Sequence, residues 1–256
     1  MMKVLVIGAG AGTSTKDVEN GVLEGLRTNG VQTARYALDE RLSVSDGYLG
    51  WVHAQVRQTD PDAPAPTDLE IQLHALQDVL ARALAHDVDW VLIVSGMFVP
   101  LPVLNLLQLA GVPVAFLATE SPYDQEHELR WAAHTDLVWT TERSAVPTFQ
   151  RVQPRTRYLR HGWRPAVHTT AVVEGEAGIP RHDVVFVGSC FDERLELLTA
   201  IDWTGIDLGL YGNWDRVPAD SPIRPFIQTS IIDNAQAAAL YRHAKIGLHL
   251  YREALG

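Results

Sequence analysis

The chain has 256 residues, 46% hydrophobic and 20% charged, with a formal net charge of -10 at pH 7; it can bury one large core or two modest ones. No block of consecutive Lys or Arg interrupts that acidic balance, which argues against tight nonspecific nucleic-acid binding because such a surface repels polyphosphate. The single cysteine, Cys190, rules out an intrachain disulfide and fits a reducing cytoplasm.

The opening "MMKVLVIGAGAG" holds an apolar run too short for the hydrophobic region of a secretory leader. The longest other apolar stretch, "WVLIVSGMFVPLPVLNLL", is broken by Ser, Gly and Pro, short of the ~20 residues a membrane span needs. Val4 to Ile7 reads as a strand ending in "GAGAG". An apolar stripe at helical spacing follows, Val18, Val22 and Leu26, closed by Asn29-Gly30, and Val31 to Leu38 reads as a second strand. Asp39 to Pro66 reads as irregular, with "DPDAPAP" as its loop signal. Thr67 to Glu70 forms a capping box, and Leu69, Leu73, Leu76, Leu80 and Leu84 predict one face of a single helix after it.

Strands are then predicted at Trp90 to Val94, Val114 to Ala118 and Leu137 to Thr140, alternating with helices from about Pro100, Gln125 and Ser144. Apolar strands alternating with amphipathic helices predict a parallel sheet covered on both faces. From Arg160 to Arg181 the pattern dissolves. It restarts with strands at Val184 to Val187, Asp207 to Leu210 and Ile246 to Tyr251, with helices over Glu193 to Ala200 and Ala235 to His243. The expected organisation is a first domain over 1–165, a linker over 166–182 and a second domain over 183–256. The second has about 75 residues, where domains commonly run ~100–150.

The loop after the first strand supplies Gly8, Gly10 and Gly12, which let backbone approach a ligand while the next helix offers its N-terminal amides to an anion. As a dinucleotide fingerprint it is defective, because Thr13 stands where the third glycine belongs and Asp39 lies beyond the expected acidic position. A tight turn shaping another site, and plain structural glycine, are the other readings. "DVD" at Asp87 to Asp89 precedes its strand and "DPD" at Asp60 to Asp62 lies in a loop, so neither suits a metal-binding pair. Ten histidines without an i, i+4 pair and one cysteine predict no metal site. Gly-x-Ser-x-Gly and Walker motifs are missing from the sequence. "FLATESPYDQ" puts Glu120 directly after an apolar strand, where it could be a general base, or could cap the following helix or pair with a nearby Arg. "DVVFVGSCFDER" ends a strand in Gly188-Ser189 and puts Arg194 in the next helix, where it could clamp a diphosphate. "LYGNW" repeats the arrangement with Gly212, Asn213 and Trp214.

In that order, "DVVFVGS...R", "LYGNW" and "YRHAKIGLHLY" resemble the C-terminal domain of CgeB-like glycosyltransferases, bacteriophage members included. "ATESPYDQEHELRWAAHTDLVWTTERSAVPTF" and "YLRHGWRP" resemble the end of their N-terminal domain and the crossover into the second. The resemblance spans roughly Trp90 to Tyr251. It implies GT-B architecture, two Rossmann-like domains facing across a cleft, and metal-independent transfer from a nucleotide-sugar donor with no further cofactor. Gly188, Ser189, Arg194, Gly212 and Asn213 would contact the donor, with His249 and Arg252 as weaker candidates; Gly8, Gly10, Gly12 and Ser95 would lie on the acceptor side. In that family the strand matching "KIGLHLY" leads into a Glu-containing helix that touches the donor. The chain stops at Gly256, so the expectation is an incomplete second domain whose final strand, Ile246, Leu248 and Leu250, pairs into a sheet with one flank uncovered, disordered or filled by another chain, self-association included.

The expected function is therefore glycosyl transfer in the cytoplasm, host cytoplasm for a phage protein, with Glu120 as base. The acceptor is open; a protein or a modified DNA base fits a phage context, though the acidic balance weighs against DNA. The rival readings are a dinucleotide-dependent oxidoreductase using Gly8 to Gly12 and a non-catalytic nucleotide-sugar-binding module.

Overall fold

The computed structural model describes residues 1–10, 13–171, 176–229 and 232–250. They form two compact units, Met1–Gly162 and Trp163–Gly256. In the first unit the elements are β1 (Lys3–Ile7), α1 (Thr13–Thr28), β2 (Gln32–Tyr36), α2 (Leu38–Val56), α3 (Asp68–Ala75), α4 (Val79–Ala85), β3 (Trp90–Val94), α5 (Leu101–Leu109), β4 (Val114–Ala118), α6 (Gln125–Ala132), β5 (Leu137–Thr140), α7 (Val146–Val152) and β6 (Thr156–Tyr158). In the second they are β7 (Val184–Val187), α8 (Asp192–Ala200), β8 (Leu208–Tyr211), β9 (Ile227–Thr229), α9 (Asn234–His243) and β10 (Ile246–Gly247). No helix among the described residues is long and apolar enough to cross a membrane.

The first sheet is parallel throughout, in the order β2-β1-β3-β4-β5-β6. The chain moves outward from β1 to β2, then crosses back and proceeds from β3 to β6. Right-handed crossovers made in opposite directions put their helices on opposite faces. Accordingly α1 packs Val18, Val22, Leu23 and Leu26 against Val4, Val6, Leu92 and Leu117. The other face, built on Leu5, Ile7, Ile93 and Phe116, receives α3 to α7 through residues such as Leu76, Val79, Leu104, Trp131 and Phe149. The one reversal point lies between β1 and β3, and the loops leaving their carboxyl ends flank it. In doubly wound sheets that is where ligands bind.

The second sheet is also parallel, in the order β10-β7-β8-β9. Its reversal lies between β7 and β10, and α8 and α9 again take opposite faces: Leu195 and Leu198 join the core of Phe186, Leu210 and Trp214, whereas Leu240 packs with Val185 and Tyr211. The segment read from sequence as a linker is tied to α9. Arg242 donates to the carbonyls of Val167 and Thr169 at 3.3 and 2.9 Å and ion-pairs with Glu176, which His243 also meets at 3.1 Å.

Three expectations change. Residues 39–56 are not irregular, since they lie in α2, whereas 57–66, with "DPDAPAP", form the predicted loop; the glycines of α2 and its exposed Val44, Tyr48 and Trp51 leave no clear apolar stripe for periodicity to detect. The helix predicted from Thr67 to Leu84 is two helices. Its capping box forms, with Glu70 N–H on Thr67 Oγ1 at 3.3 Å and Thr67 N–H on Glu70 Oε2 at 2.7 Å. The chain then breaks at Leu76 to Asp78, where the Tyr36 hydroxyl lies 2.8 Å from the Ala75 carbonyl and 2.5 Å from the Asp78 carboxylate. The buried face is consequently Ala75, Leu76, Val79 and Ala83, while Leu69, Leu73 and Leu84 are 50%, 36% and 59% exposed. The last strand covers Ile246 and Gly247 only and lies at the edge of its sheet; Leu248 N–H still reaches the Val185 carbonyl at 2.8 Å, Leu248 and Leu250 pack on the core, and Tyr251 falls outside the described residues.

The break is held by charge. Burial alone would raise the Asp78 carboxyl, but hydrogen bonds from Tyr36, Arg82 and Arg41 outweigh it and bring it down from 3.8 to about 2. A carboxylate lowered by folding stabilises fully above its ordinary value, and that contribution fades as pH falls through the folded one. Asp78→Asn should therefore destabilise the protein most above pH ~4, with the gap to wild type closing toward pH ~2. Urea denaturation across that range measures it, and a gap independent of pH would refute the assignment.

Candidate functional site

Parallel strands deliver all their carboxyl ends to one edge, and the loops leaving that edge begin with backbone N–H groups that need partners. In the first unit two buried glutamates supply them. Glu19, on α1, has no exposed surface; its Oε2 accepts from the Ala9 amide at 3.2 Å and its Oε1 from Arg35 Nε at 2.6 Å. Arg35 continues to Asp39 at 2.8 Å and Glu40 at 3.0 Å, and Lys16 also pairs with Asp39. Burial works to raise the Asp39 carboxyl, but Lys16 and Arg35 hold it below the usual range. The Gly8 loop is thus closed around an internal carboxylate. A side chain on Gly8 would meet the Glu19 carboxyl at 2.6 Å, and one on Gly10 would strike the Phe98 ring at 2.2 Å. Gly12 lies outside the described residues. Glu19 already occupies the Ala9 amide that a pyrophosphate would need, and Asp39 is already engaged by cations, so this geometry does not favour the oxidoreductase reading.

On the other side of the reversal point, Ser95 ends β3 with φ +67, a left-handed conformation uncommon for a residue bearing a side chain, and it is only 3% exposed. Its hydroxyl donates to Glu120 Oε1 at 3.3 Å, and the Thr119 hydroxyl lies 2.9 Å from the same oxygen. The structure therefore brings Ser95 and Glu120 together at adjacent strand ends. Behind them Glu128, on α6 and 2% exposed, accepts from the Glu120 amide at 2.8 Å and pairs with the Ser121 hydroxyl at 2.5 Å. Glu120 neither caps α6 nor pairs with an arginine in any described contact; its partners are hydroxyls.

In the second unit the strand ends approach one another closely. Gly188 N–H donates to the Tyr211 carbonyl and Cys190 N–H to the Asn213 carbonyl, both at 2.8 Å. Gly212, at φ +115, lies so near that a β-carbon there would stand 2.4 Å from the Gly188 carbonyl oxygen. Arg194 crosses the reversal point: Nε and Nη2 donate to the Leu250 carbonyl at 3.1 and 2.8 Å, and Nη1 to the Ser189 carbonyl at 2.9 Å. Its guanidinium lies 5.2 Å from the ring centre of Phe186 and 4.9 Å from that of Phe191. Ser189, Asn213 and His249 are exposed beside it, and Arg252 lies outside the described residues. Trp214 is a core residue, edge-on to Phe186 at 5.8 Å. Phe191, the residue before α8, offers no side-chain acceptor to the helix amides. Asp192 and Glu193 stand in that first turn, and Arg216 pairs with Asp192 at 2.5 Å. Among the described residues no cluster of His, Cys, Asp and Glu could hold a metal ion.

Sequence reading missed Glu19 and Glu128, although a signal was present. Glu19 stands four before Leu23 and seven before Leu26, and Glu128 three before Trp131, so each carboxylate takes a core position in a helical period.

Two parallel α/β units of Rossmann-like organisation define the fold class, which matches the GT-B architecture. Anabaena Alr3699/HepE, solved in complex with UDP-glucose, superposes over 98% of this chain and 70% of its own with a TM-score of 0.51 at 14% identity. The glycosyltransferase SnogD from Streptomyces nogalater covers 96% of this chain and 76% of its own at TM-score 0.49 and 14% identity. These are likenesses of fold. Neither a protein-family model nor a curated protein matches the sequence.

Gly205 and Gly212 both have positive φ, 75 and 115, but a β-carbon at Gly205 meets open space. Gly205→Ala should cost about 1 kcal/mol from backbone strain alone, and Gly212→Ala about 3 kcal/mol because the Gly188 loop must also move. Equal losses in chemical denaturation would show that the loops do not touch as described.

Proposed function

We propose that the chain is a glycosyltransferase of the CgeB-like, phage-type group, with its nucleotide-sugar donor held by the second unit and its acceptor served by the first. The observation that carries this reading is Arg194, held across the reversal point of the second unit on the carbonyls of Ser189 and Leu250. A guanidinium fixed there attracts a diphosphate, whereas the strand ends of the first unit present the carboxylates of Glu19, Glu120 and Glu128, with Arg35 already engaged by Glu19. The HepE complex with UDP-glucose supports the nature of the donor through likeness of fold.

In the reaction an acceptor hydroxyl attacks the anomeric carbon of the sugar. The bond from that carbon to the diphosphate oxygen breaks, its electron pair leaves with the nucleoside diphosphate, and Arg194 with the first-turn amides of α8 balances the phosphate charge. Glu120, exposed enough to meet the acceptor and oriented by the Ser95 and Thr119 hydroxyls, takes the proton. Gly188 and Gly212 let the two donor loops close on each other, and Gly8 and Gly10 shape the strand ends of the first unit. The net charge of -10 favours a protein or small-molecule acceptor over DNA.

A thermal-shift screen against UDP-glucose, other nucleotide sugars and free nucleoside diphosphates tests the donor assignment. A true donor at ~100 times its Kd should add about 2.7 kcal/mol to stability, and Ser189 and Asn213 substitutions should weaken it. If none of these ligands raises the melting temperature, the transferase reading is wrong. With a donor in hand, Glu120→Gln should slow turnover by ~10²–10⁴ while leaving donor affinity unchanged; undiminished turnover would remove Glu120 from the mechanism.

A further inference from the structure

Glu128 lies behind Glu120 and is not part of the reaction just described, yet it is the buried group that touches Glu120 most directly. We propose that Glu128 is the positioning residue of the Glu120 carboxylate, fixing the strand-end loop and setting the charge behind it; the inference rests on the reading of Glu120 as the base.

The geometry is specific to that loop. One buried carboxyl engages two consecutive residues, the Glu120 amide at 2.8 Å and the Ser121 hydroxyl at 2.5 Å. With its main chain held from behind, the Glu120 side chain is free to take the Ser95 and Thr119 hydroxyls in front. Glu128→Ala would release both contacts and leave a buried amide without an acceptor, whereas Glu128→Gln keeps an oxygen for the amide.

The charge state of Glu128 is divided near neutrality. Burial, with a smaller push from the Glu120 carboxylate, raises its carboxyl to about 7 against the lowering effect of the Ser121 and backbone hydrogen bonds. Protonation preserves the loop, because one oxygen can still accept from the Glu120 amide while the other, now O–H, donates to Ser121 Oγ. What changes is the field: a negative charge behind Glu120 is present in one state and gone in the other. The charged group facing Glu128 from the β4 end is Glu120. On its own helix stand Glu126, His127 and Arg130; His127 stacks on Trp131 at 3.8 Å and lies 3.8 Å from the Asp124 carboxylate.

The test follows the Glu120 and Ser121 backbone amide resonances of the full ¹⁵N-labelled chain from pH 5 to 9. In wild type they should titrate with a midpoint near 7. Glu128→Gln should abolish the titration and keep the low-pH resonance positions; Glu120→Gln should retain the titration but shift its midpoint downward. A titration that survives Glu128→Gln, or a midpoint that ignores Glu120→Gln, overturns the proposal. If Glu128→Gln fails to fold, the Glu120→Gln arm decides, since Glu128 is intact there. The readout needs no donor, so failure of the nucleotide-sugar screen with this titration intact would dismiss the transferase reading and not the pairing, and the reverse result would do the opposite.

Discussion

The edge of a parallel sheet is an electrostatic problem before it is a binding site. Every strand there hands its chain to a loop whose first amides have lost the ladder, and a buried amide without an acceptor costs roughly 1–3 kcal/mol. The first unit answers with carboxylates from the helices behind, Glu19 against Ala9 and Glu128 against Glu120. The second answers with main chain against main chain and with a cation placed on the carbonyls of Ser189 and Leu250. Much else follows from these two solutions. A side chain at Gly8 would displace the Glu19 carboxyl, and Gly212 must be glycine because its φ is +115 and the Gly188 carbonyl lies against it.

Those solutions give the units opposite chemistry at equivalent places. A helix N-terminus after a glycine-ended strand is an anion site only while its amides are available. In the first unit Glu19 has taken the loop amide of Ala9 and brought a buried carboxylate beside it, and Arg35 is engaged with Glu19, Asp39 and Glu40. Two loops that look alike as strings of glycines therefore differ in what they can hold.

Much of the fold was legible in the sequence because buried parallel strands write themselves as uninterrupted apolar runs: Trp90 to Val94, Val114 to Ala118, Leu137 to Thr140 and Val184 to Val187 are read to the residue. The three-residue strands β6 and β9 lack such runs. α2 stayed hidden because several of its apolar residues, Val44, Tyr48 and Trp51, face outward, and the break between α3 and α4 because it depends on Tyr36, some forty positions away in the chain and adjacent only in space. The candidate site divides in the same way. Glu120, Gly188, Arg194 and Gly212 announce themselves by following strands, while Glu19 and Glu128 sit within helices, where a glutamate reads as surface unless its phase in the helical period is counted.

Arg194 shows how far a sequence-level role and a structural one can share a side chain. Its spacing from Gly188-Ser189 suggests a phosphate clamp, yet in the structure it binds carbonyls. These uses are compatible in physical terms. By donating to Ser189 and Leu250, Arg194 ties the β7 loop to the segment after β10 before any ligand arrives, and ordering a loop in advance removes part of the entropy that binding would otherwise consume. The rings of Phe186 and Phe191 lie against the guanidinium and help hold it in place. A cation fixed this way acts as preorganised charge, and preorganised charge is what stabilises a departing diphosphate most effectively.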